Sequence, residues 1–270
     1  MLTLTLRQPS PIPLELDGIT PDRLVRLSPA EIERLPILHG NRSVALAELF
    51  RVDSETIPSA DPILCFRGTT TACKRIGAAL SSGQILVEGD AGMHAGAGMS
   101  GGRLQIRGQA SDWLGAEMTG GRIDVTGHVG HLVGAAYRGG LRGMNGGMIH
   151  IRGNAGDEVG LRMRRGLIVV DGKVGEFAGA AMLAGTIIGR SHFGRRAGAG
   201  MKRGTLVSLD KAIPITTGFA PSCVYQPVYA RLLEGWLRGH GVLMPELLGR
   251  LRCFRGDQLS GGLGELLIPA

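Results

Sequence analysis

A glycine recurs at a fixed interval through the middle of this 270-residue chain and divides residues 76–213 into seven similar copies. It is the second residue of each copy, at Gly77, Gly96, Gly115, Gly134, Gly160, Gly179 and Gly198. Five of the six spacings are 19 residues and the other is 26, which indicates a regular repeat with one seven-residue insertion. A period of this length favours a solenoid, in which each copy stacks on its neighbours.

Five of the copies contain a short run in which apolar residues alternate with more polar neighbours, such as Ile85 with Val87 and Leu104 with Ile106. Alternation with a period of two indicates a strand with one buried face. Glycines flank each run, where they permit a positive φ or a close backbone approach at corners. Since one strand cannot bury its own face, the copies must stack. The sequence therefore predicts a mainly β protein containing a parallel β-helix of seven rungs, with about 4.8 Å between rungs.

The fifth position of each copy is mostly methionine and is predicted to fill the interior of the solenoid. The residues at this position are Leu80, Met99, Met118, Tyr137, Met163, Met182 and Met201. Methionine adapts to irregular gaps in a core, and a methionine metal site is the alternative interpretation.

The two ends of a solenoid need covers, because an open edge strand pairs with other chains. Residues 1–75 are predicted to form a small α+β cap, with a capping box at Ser28 and Glu31 that opens a short helix toward Leu38. Residues 214–270 are predicted to form a helical and strand cap, with helices over 228–237 and 242–251. One compact body is expected.

Composition limits the classes of function. No run of about 20 apolar residues is present and the start lacks the pattern of a signal peptide, so we expect a cytoplasmic chain without a membrane span. The net charge is +7, but aromatic residues are scarce, which argues against nucleic-acid binding. The cysteines are expected to be reduced packing residues, with metal ligation as the alternative; they are Cys65, Cys73, Cys223 and Cys253.

No catalytic constellation is found, and we predict neither a catalytic nor a metal site in this chain. The segment Gly96–Gly101 matches a dinucleotide-binding motif, but a strand rather than a helix follows it. His128 and His192 lie three rungs apart, about 14 Å, which is too far to share one ion. The acidic residues are scattered at corners, at Asp112, Glu117, Asp124, Asp157 and Glu158.

Two surface features are candidate interaction sites. An insertion in a solenoid protrudes from one face, so the insertion near Gly139–Asn145 is a candidate partner contact, with a tolerated surface loop as the alternative. The residues singled out there are Tyr137, Arg138, Arg142 and Met144. A basic cluster is either a solvated face or a site for an anionic ligand, and it contains Arg162, Arg164, Arg165, Arg195, Arg196, Lys202 and Arg203.

The copies AGAGMSGGRLQIRGQASDWLGAEMTGGRIDVTGHVG and VGAAYRGGLRGMNGGMIHIRGNAGDEVG closely resemble the C subunit of formylmethanofuran dehydrogenase. The resemblance extends to GNRSVALAELFRV before the repeats and weakens over the last fifty residues. The β-helix domain of glutamate synthase is a looser match.

This resemblance implies a non-catalytic scaffold in a multi-subunit one-carbon complex. One such complex is a bacterial formyltransferase/hydrolase, which moves a formyl group from tetrahydromethanopterin to a methanofuran-type carrier and releases formate. The alternative is a molybdenum or tungsten formylmethanofuran dehydrogenase. The implied partners are an amidohydrolase-like subunit with a metal site, a formyltransferase and, in the dehydrogenase, a pterin subunit, with no cofactor bound by this chain. The excess of arginine over lysine favours the bacterial complex.

Overall fold

The computed structural model describes residues 1–54, 61–210 and 213–270. Residues 55–60 of the predicted N-terminal cap and residues 211–212 of the predicted solenoid lie outside the described residues. The described chain is mainly β, as predicted. No helix in the described ranges has the length and apolar character needed to cross a membrane.

The secondary structure consists of seventeen strands and four α-helices in the described residues. The strands are β1 (Leu2–Leu6), β2 (Leu14–Glu15), β3 (Pro36–His39), β4 (Arg42–Ala45), β5 (Phe50–Ser54), β6 (Ile63–Arg67), β7 (Cys73–Lys74), β8 (Gln84–Glu88), β9 (Ser100–Ile106), β10 (Gly120–Val125), β11 (Asn145–Ile151), β12 (Arg165–Val170), β13 (Thr186–Gly189), β14 (Arg203–Ser208), β15 (Ala220–Tyr225), β16 (Leu251–Gly256) and β17 (Leu263–Pro269). The helices are α1 (Pro21–Leu24), α2 (Pro29–Glu33), α3 (Leu46–Leu49) and α4 (Val228–Gly239).

The repeats pair in parallel through one strand each, β8 to β14, and the register follows the repeat. The tenth positions stand opposite one another along the whole ladder, in the order Ile85, Leu104, Ile123, Ile149, Ile168, Ile187 and Leu206. Each of these side chains is at most 1% exposed. The alternation read from the sequence therefore separates a buried face from a more polar one in β8 to β10. In β12 to β14 the opposite face is buried as well, because Val169, Ile188 and Val207 belong to a second apolar cluster with Ala230 and Leu237 of α4.

Two further backbone ladders join successive repeats. Single parallel bridges connect the sixteenth positions, which are Ala91, Ala110, Val129, Ala155, Val174 and Phe193. At the second position, each glycine N–H donates to the first carbonyl of the preceding repeat, as from Gly96 to Ile76 at 2.8 Å and from Gly115 to Ala95 at 2.8 Å. Each of the first five repeats is thus attached to the next at three places along its length.

Close stacking explains many of the glycines. A Cβ on Gly101 would lie 2.1 Å from the carbonyl oxygen of Ser81 in the preceding repeat, and one on Gly120 would lie 2.3 Å from that of Ser100. Neither backbone can move away without separating the paired strands. Glycine is therefore required here by space rather than by a positive φ.

The strand ladder continues past the predicted solenoid at both ends. At the N-terminal end β8 pairs with β6, β6 with β1, and β1 with β5. At the C-terminal end β14 pairs with β17, β17 with β16, and β16 with β15. The two terminal segments therefore extend one 13-stranded sheet, whose edges are β5 and β15.

The predicted caps are partly right in detail. The capping box at Ser28 and Glu31 is present and starts α2, but the helix ends at Glu33 because Pro36 follows, and Leu38 lies in β3. Helix α4 forms over the predicted residues and buries Ala230 and Leu237. The predicted helix over 242–251 is wrong. Only a 3-10 turn, Pro245–Leu248, forms there before β16 begins.

Candidate functional site

The insertion occupies residues 137–143 and enters between the fourth and fifth positions of the fourth repeat. In the third repeat the fifth-position N–H of Met118 donates to Gly115 at 3.3 Å. In the fourth repeat Met144 makes the equivalent bond to Gly134 at 2.8 Å. Met144 is fully buried with the other methionines of the column. The expectation that Tyr137 fills this column is therefore wrong, and so is the expectation that Met144 contacts a partner.

Tyr137 instead anchors the first end of the insertion to the outer surface of the neighbouring repeats. Its ring stacks on Trp113 with centroids 4.8 Å apart, and its hydroxyl lies 3.0 Å from Nδ1 of His94. Its backbone N–H donates to Oε1 of Glu117 at 3.0 Å. His94 and Trp113 are themselves stacked, with centroids 6.1 Å apart, since both are the last residue of their repeat. Three aromatic rings, from the first, second and fourth repeats, thus form one cluster.

The protonation of this cluster is shifted by its surroundings. Burial lowers the pKa of His94, and the positive charges of Arg75 and Lys74 lower it further. Burial also raises the pKa of the Tyr137 hydroxyl. At neutral pH both groups are therefore uncharged, and the hydrogen bond between them joins a neutral imidazole to a neutral phenol.

The far end of the insertion is held by the fifth repeat. The guanidinium of Arg162 donates to the carbonyl of Gly140 at 2.6 Å, and the N–H of Gly143 donates to the carbonyl of Arg162 at 2.9 Å. A cleft of about 360 Å³ lies between the insertion and the adjacent repeats, lined by Trp113, Leu132, Ala136, Tyr137, Arg138, Gly139, Glu158, Leu161 and Arg162. Because both of its ends are anchored, the insertion forms an ordered loop on the surface.

The outer side of the insertion carries two cations around an apolar side chain. Arg138 and Arg142 are exposed, as the sequence analysis placed them. Leu141 between them is 80% exposed, and it was not among the residues singled out from sequence. Its signal in the sequence is that it is the one aliphatic side chain among the seven inserted residues.

The basic residues do not form one stripe. Four of them, Arg164, Arg165, Lys202 and Arg203, line a groove of about 490 Å³ whose floor is Leu183 and Ala184. They come from the fifth and seventh repeats, so two strand spacings, about 10 Å, separate the two pairs. Among the described residues none of the four forms a salt bridge, whereas other arginines do, such as Arg122 with Asp124.

The other three basic residues lie elsewhere. Arg162 holds the insertion, and the Arg196 guanidinium lies over the ring of Phe177, 5.1 Å from its centroid. Arg195 is exposed and does not line the groove. The predicted anionic site therefore reduces to the four-residue basic groove.

The corner histidines and carboxylates have structural partners. Nδ1 of His128 accepts from the N–H of Asn154, and Nδ1 of His131 accepts from that of Asp157, both at 2.9 Å. Oδ1 of Asp112 accepts a hydrogen bond from the N–H of His131 at 2.8 Å. These side chains satisfy backbone groups of the neighbouring repeat. In the ranges 1–54, 61–210 and 213–270, no three potential ligands come together in a metal-binding group.

The cysteines are all free, and only Cys223 is exposed. Cys223 stands opposite Cys253 in the antiparallel pair of β15 and β16. Burial raises the pKa of Cys73 to about 12 and that of Cys253 to about 11. Both buried thiols are therefore protonated at neutral pH.

No protein-family model matches the chain. Curated relatives align with about a third of it. The C subunit of the tungsten-containing formylmethanofuran dehydrogenase 2 of Methanothermobacter thermautotrophicus is 40% identical over 94 residues, 34% of this chain and 35% of the relative. The C subunit of the formyltransferase/hydrolase complex Fhc of Methylorubrum extorquens is 39% identical over 92 residues, 34% of this chain and 33% of the relative. The chain thus spans about a third of the length of the curated relatives it matches.

A solved structure matches over nearly the whole length. It is a chain in the crystal structure of the formyltransferase/hydrolase complex (FhcABCD) from Methylorubrum extorquens in complex with methylofuran. The TM-score is 0.90 and the sequence identity is 37%, with 99% of each chain covered. Coverage of both chains at this level leaves no room for a large unmatched segment in either.

Proposed function

The chain belongs to the family formed by the C subunits of formylmethanofuran dehydrogenase and of the Fhc complex, and we propose that it is a non-catalytic scaffold subunit of a formyltransferase/hydrolase complex. This complex would transfer a formyl group to a methanofuran-type carrier and hydrolyse it to formate. The observation that carries the proposal is the full-length likeness to a chain of the FhcABCD complex. The corner carboxylates and histidines, which serve as backbone acceptors, support a structural role.

The proposed scaffold is a parallel β-helix of seven rungs. Strand pairing, the single bridges at the sixteenth position and the glycine hydrogen bonds recur at the same repeat positions. A chain whose successive repeats are joined at three positions coils around a common interior. The buried methionine column would be that interior. A stack of repeats of this kind is rigid along its axis and is suited to hold other subunits at fixed separations.

The test is purification of the tagged chain from its source under native conditions, followed by native mass spectrometry and metal analysis. We expect a stoichiometric complex with an amidohydrolase-like and a formyltransferase subunit. A complex that carries molybdenum or tungsten on a pterin would select the alternative, a formylmethanofuran dehydrogenase. Isolation of the chain as a stable monomer without partners would overturn the proposal.

A second proposed role concerns the methanofuran-type carrier, for which the family resemblance implies an acidic, glutamate-rich tail. We propose that this tail binds in the basic groove. The observation that favours it is the set of four cations without acidic partners over an apolar floor. A flexible chain of carboxylates could contact both cation pairs across the gap of about 10 Å. The alternative is a solvated surface, on which water and small ions alone would neutralise these four charges.

An oligoglutamate peptide is a suitable probe for this role. The double charge reversal Arg164→Glu with Arg165→Glu should weaken binding at least about tenfold at low salt, and the loss should shrink as salt screens the charges. Arg195→Glu together with Arg250→Glu is the matched control, since both arginines are exposed and lie outside the groove. Equal loss in both double variants would show a non-specific effect of net charge and remove the role.

A further inference from the structure

We infer that Leu141 is a docking residue that inserts into an apolar socket with a carboxylate rim on a neighbouring, different protein subunit. The inference rests on the proposed function, because it requires a complex. It adds the residue that carries the contact, the chemistry of the partner surface and the role of Tyr137. Tyr137 acts as a positioning residue that holds the loop in its docking conformation.

The first support is the ordering of the insertion in the free chain. Seven residues with three glycines would be a mobile loop if they were tied only at their ends. Here Tyr137 is fixed by a ring stack and two hydrogen bonds, and the carbonyl of Gly140 accepts from the Arg162 guanidinium. The N–H of Gly140 also closes a turn onto the carbonyl of Tyr137 at 2.8 Å. The conformational cost of presenting Leu141 is thereby met before any partner binds.

The second support is what this ordered loop presents. Leu141 is 80% exposed, so almost none of its side chain contributes to the stability of the chain itself. An exposed leucine alone is unremarkable on a protein surface. A leucine at the tip of a loop that is anchored at both ends has the geometry of a projecting interface anchor, which contributes most when a pocket encloses it fully.

Charge defines the rim of the partner socket. Arg138 and Arg142 flank Leu141, both are exposed, and neither forms a salt bridge among the described residues. Carboxylates around an apolar pocket would complement them and would fix the orientation of docking. The chain itself has a net charge of +7, so a second copy is a poor match for this requirement. A different subunit is therefore the occupant.

The contact can be tested in the purified complex. Leu141→Asp and Leu141→Ala should each weaken the association of this chain with its partner at least about tenfold, measured by dissociation on dilution. Leu259→Asp is the matched control, because Leu259 is 95% exposed and lies outside the insertion. A photoreactive amino acid at position 141 should cross-link to a site in another subunit that has aspartate or glutamate beside apolar residues.

The positioning role has its own readout. In the free chain the amide of Gly143 should exchange slowly with deuterium because it donates to Arg162. Tyr137→Ala should speed this exchange and weaken association, whereas Tyr137→Phe keeps the ring stack and should retain most of both. If Tyr137→Ala speeds the exchange with no change in association, the positioning role is wrong.

The outcomes separate this inference from the proposed function. If the wild-type chain forms no complex, the proposed function fails and the docking inference fails with it. If the complex forms and Leu141→Asp leaves its dissociation unchanged, only the docking inference is overturned. Cross-linking exclusively to a second copy of this chain would also overturn it, because the partner would then be the wrong molecule.

Discussion

Met144 lies one repeat beyond Met118 in the buried column, although 26 residues separate them, and the N–H that follows Met144 donates to the Met118 carbonyl at 2.7 Å. The inserted residues therefore leave the interior unchanged. The backbone departs after Ala136, forms the external loop and returns to the hydrogen bond with Gly134 that closes the turn in the other repeats. Stacked repeats tolerate an insertion of this kind because neither the methionine column nor the strand ladder has to shift.

Truncation of Met144 should therefore destabilise the fold. Met144→Ala leaves a cavity in a column that is fully buried, and we expect a loss of about 2–5 kcal/mol in the free energy of unfolding. Met144→Leu conserves the volume and should cost less than about 1.5 kcal/mol. Urea denaturation measures both values. A negligible loss in Met144→Ala would mean that the side chain lies outside the core.

The ladder was predictable because its signal is periodic. Seven copies share a glycine and an apolar tenth position, and the first five also share an apolar twelfth position. Together these positions define both the register and the buried face. The capping box of α2 was equally local, since Ser28 and Glu31 are three residues apart and satisfy each other's backbone groups. Such features depend on neighbours in sequence or on exact repetition.

The exact position of the insertion within the fourth repeat could not be predicted in the same way. Tyr137 and Met144 are both large residues that follow a small one, and only the hydrogen bond to Gly134 shows which of them continues the column. The predicted helix over 242–251 failed for another reason. Its apolar spacing was acceptable, but Pro245 and Gly249 confine it to a single turn.

A methyl group between repeats should show how closely they stack. Gly101→Ala places a Cβ 2.1 Å from the carbonyl oxygen of Ser81, so we expect a loss of about 1–3 kcal/mol or more in the free energy of unfolding. Gly235→Ala is the control, because nothing lies within 4 Å of its Cβ position in α4. That change should stabilise the chain by up to about 1 kcal/mol. Equal effects of both changes in urea denaturation would contradict the close stacking.

The cysteines should differ sharply in reactivity. At pH 8 a small alkylating reagent should modify Cys223 rapidly, since it is exposed, and leave Cys73 and Cys253 protonated and protected. Peptide mass spectrometry after a brief reaction identifies the modified residue. Cys223→Ser should remove the fast reaction, and denaturation should make all the remaining thiols reactive. Fast modification of Cys73 in the folded chain would contradict its burial.

His94 should make the stability of the chain depend on pH. Its pKa is lowered in the folded state from the ordinary value of 6.5, mainly by burial and then by Arg75 and Lys74. Between the folded pKa and 6.5 the unfolded chain binds more protons at this site, so the free energy of unfolding falls as the pH drops through that window. Above 6.5 the contribution of His94 is fully present.

The variant His94→Phe removes this titration and keeps a ring beside Trp113. Phenylalanine tolerates the required positive φ, since Trp113 and Phe177 adopt it at the equivalent positions of other repeats. The change in unfolding free energy between pH 7.5 and 5.5 should be smaller in His94→Phe than in the wild type. Tyr137→Phe, which retains His94 and its burial, should keep most of the wild-type dependence. Identical profiles for the wild type and His94→Phe would show that His94 does not carry it.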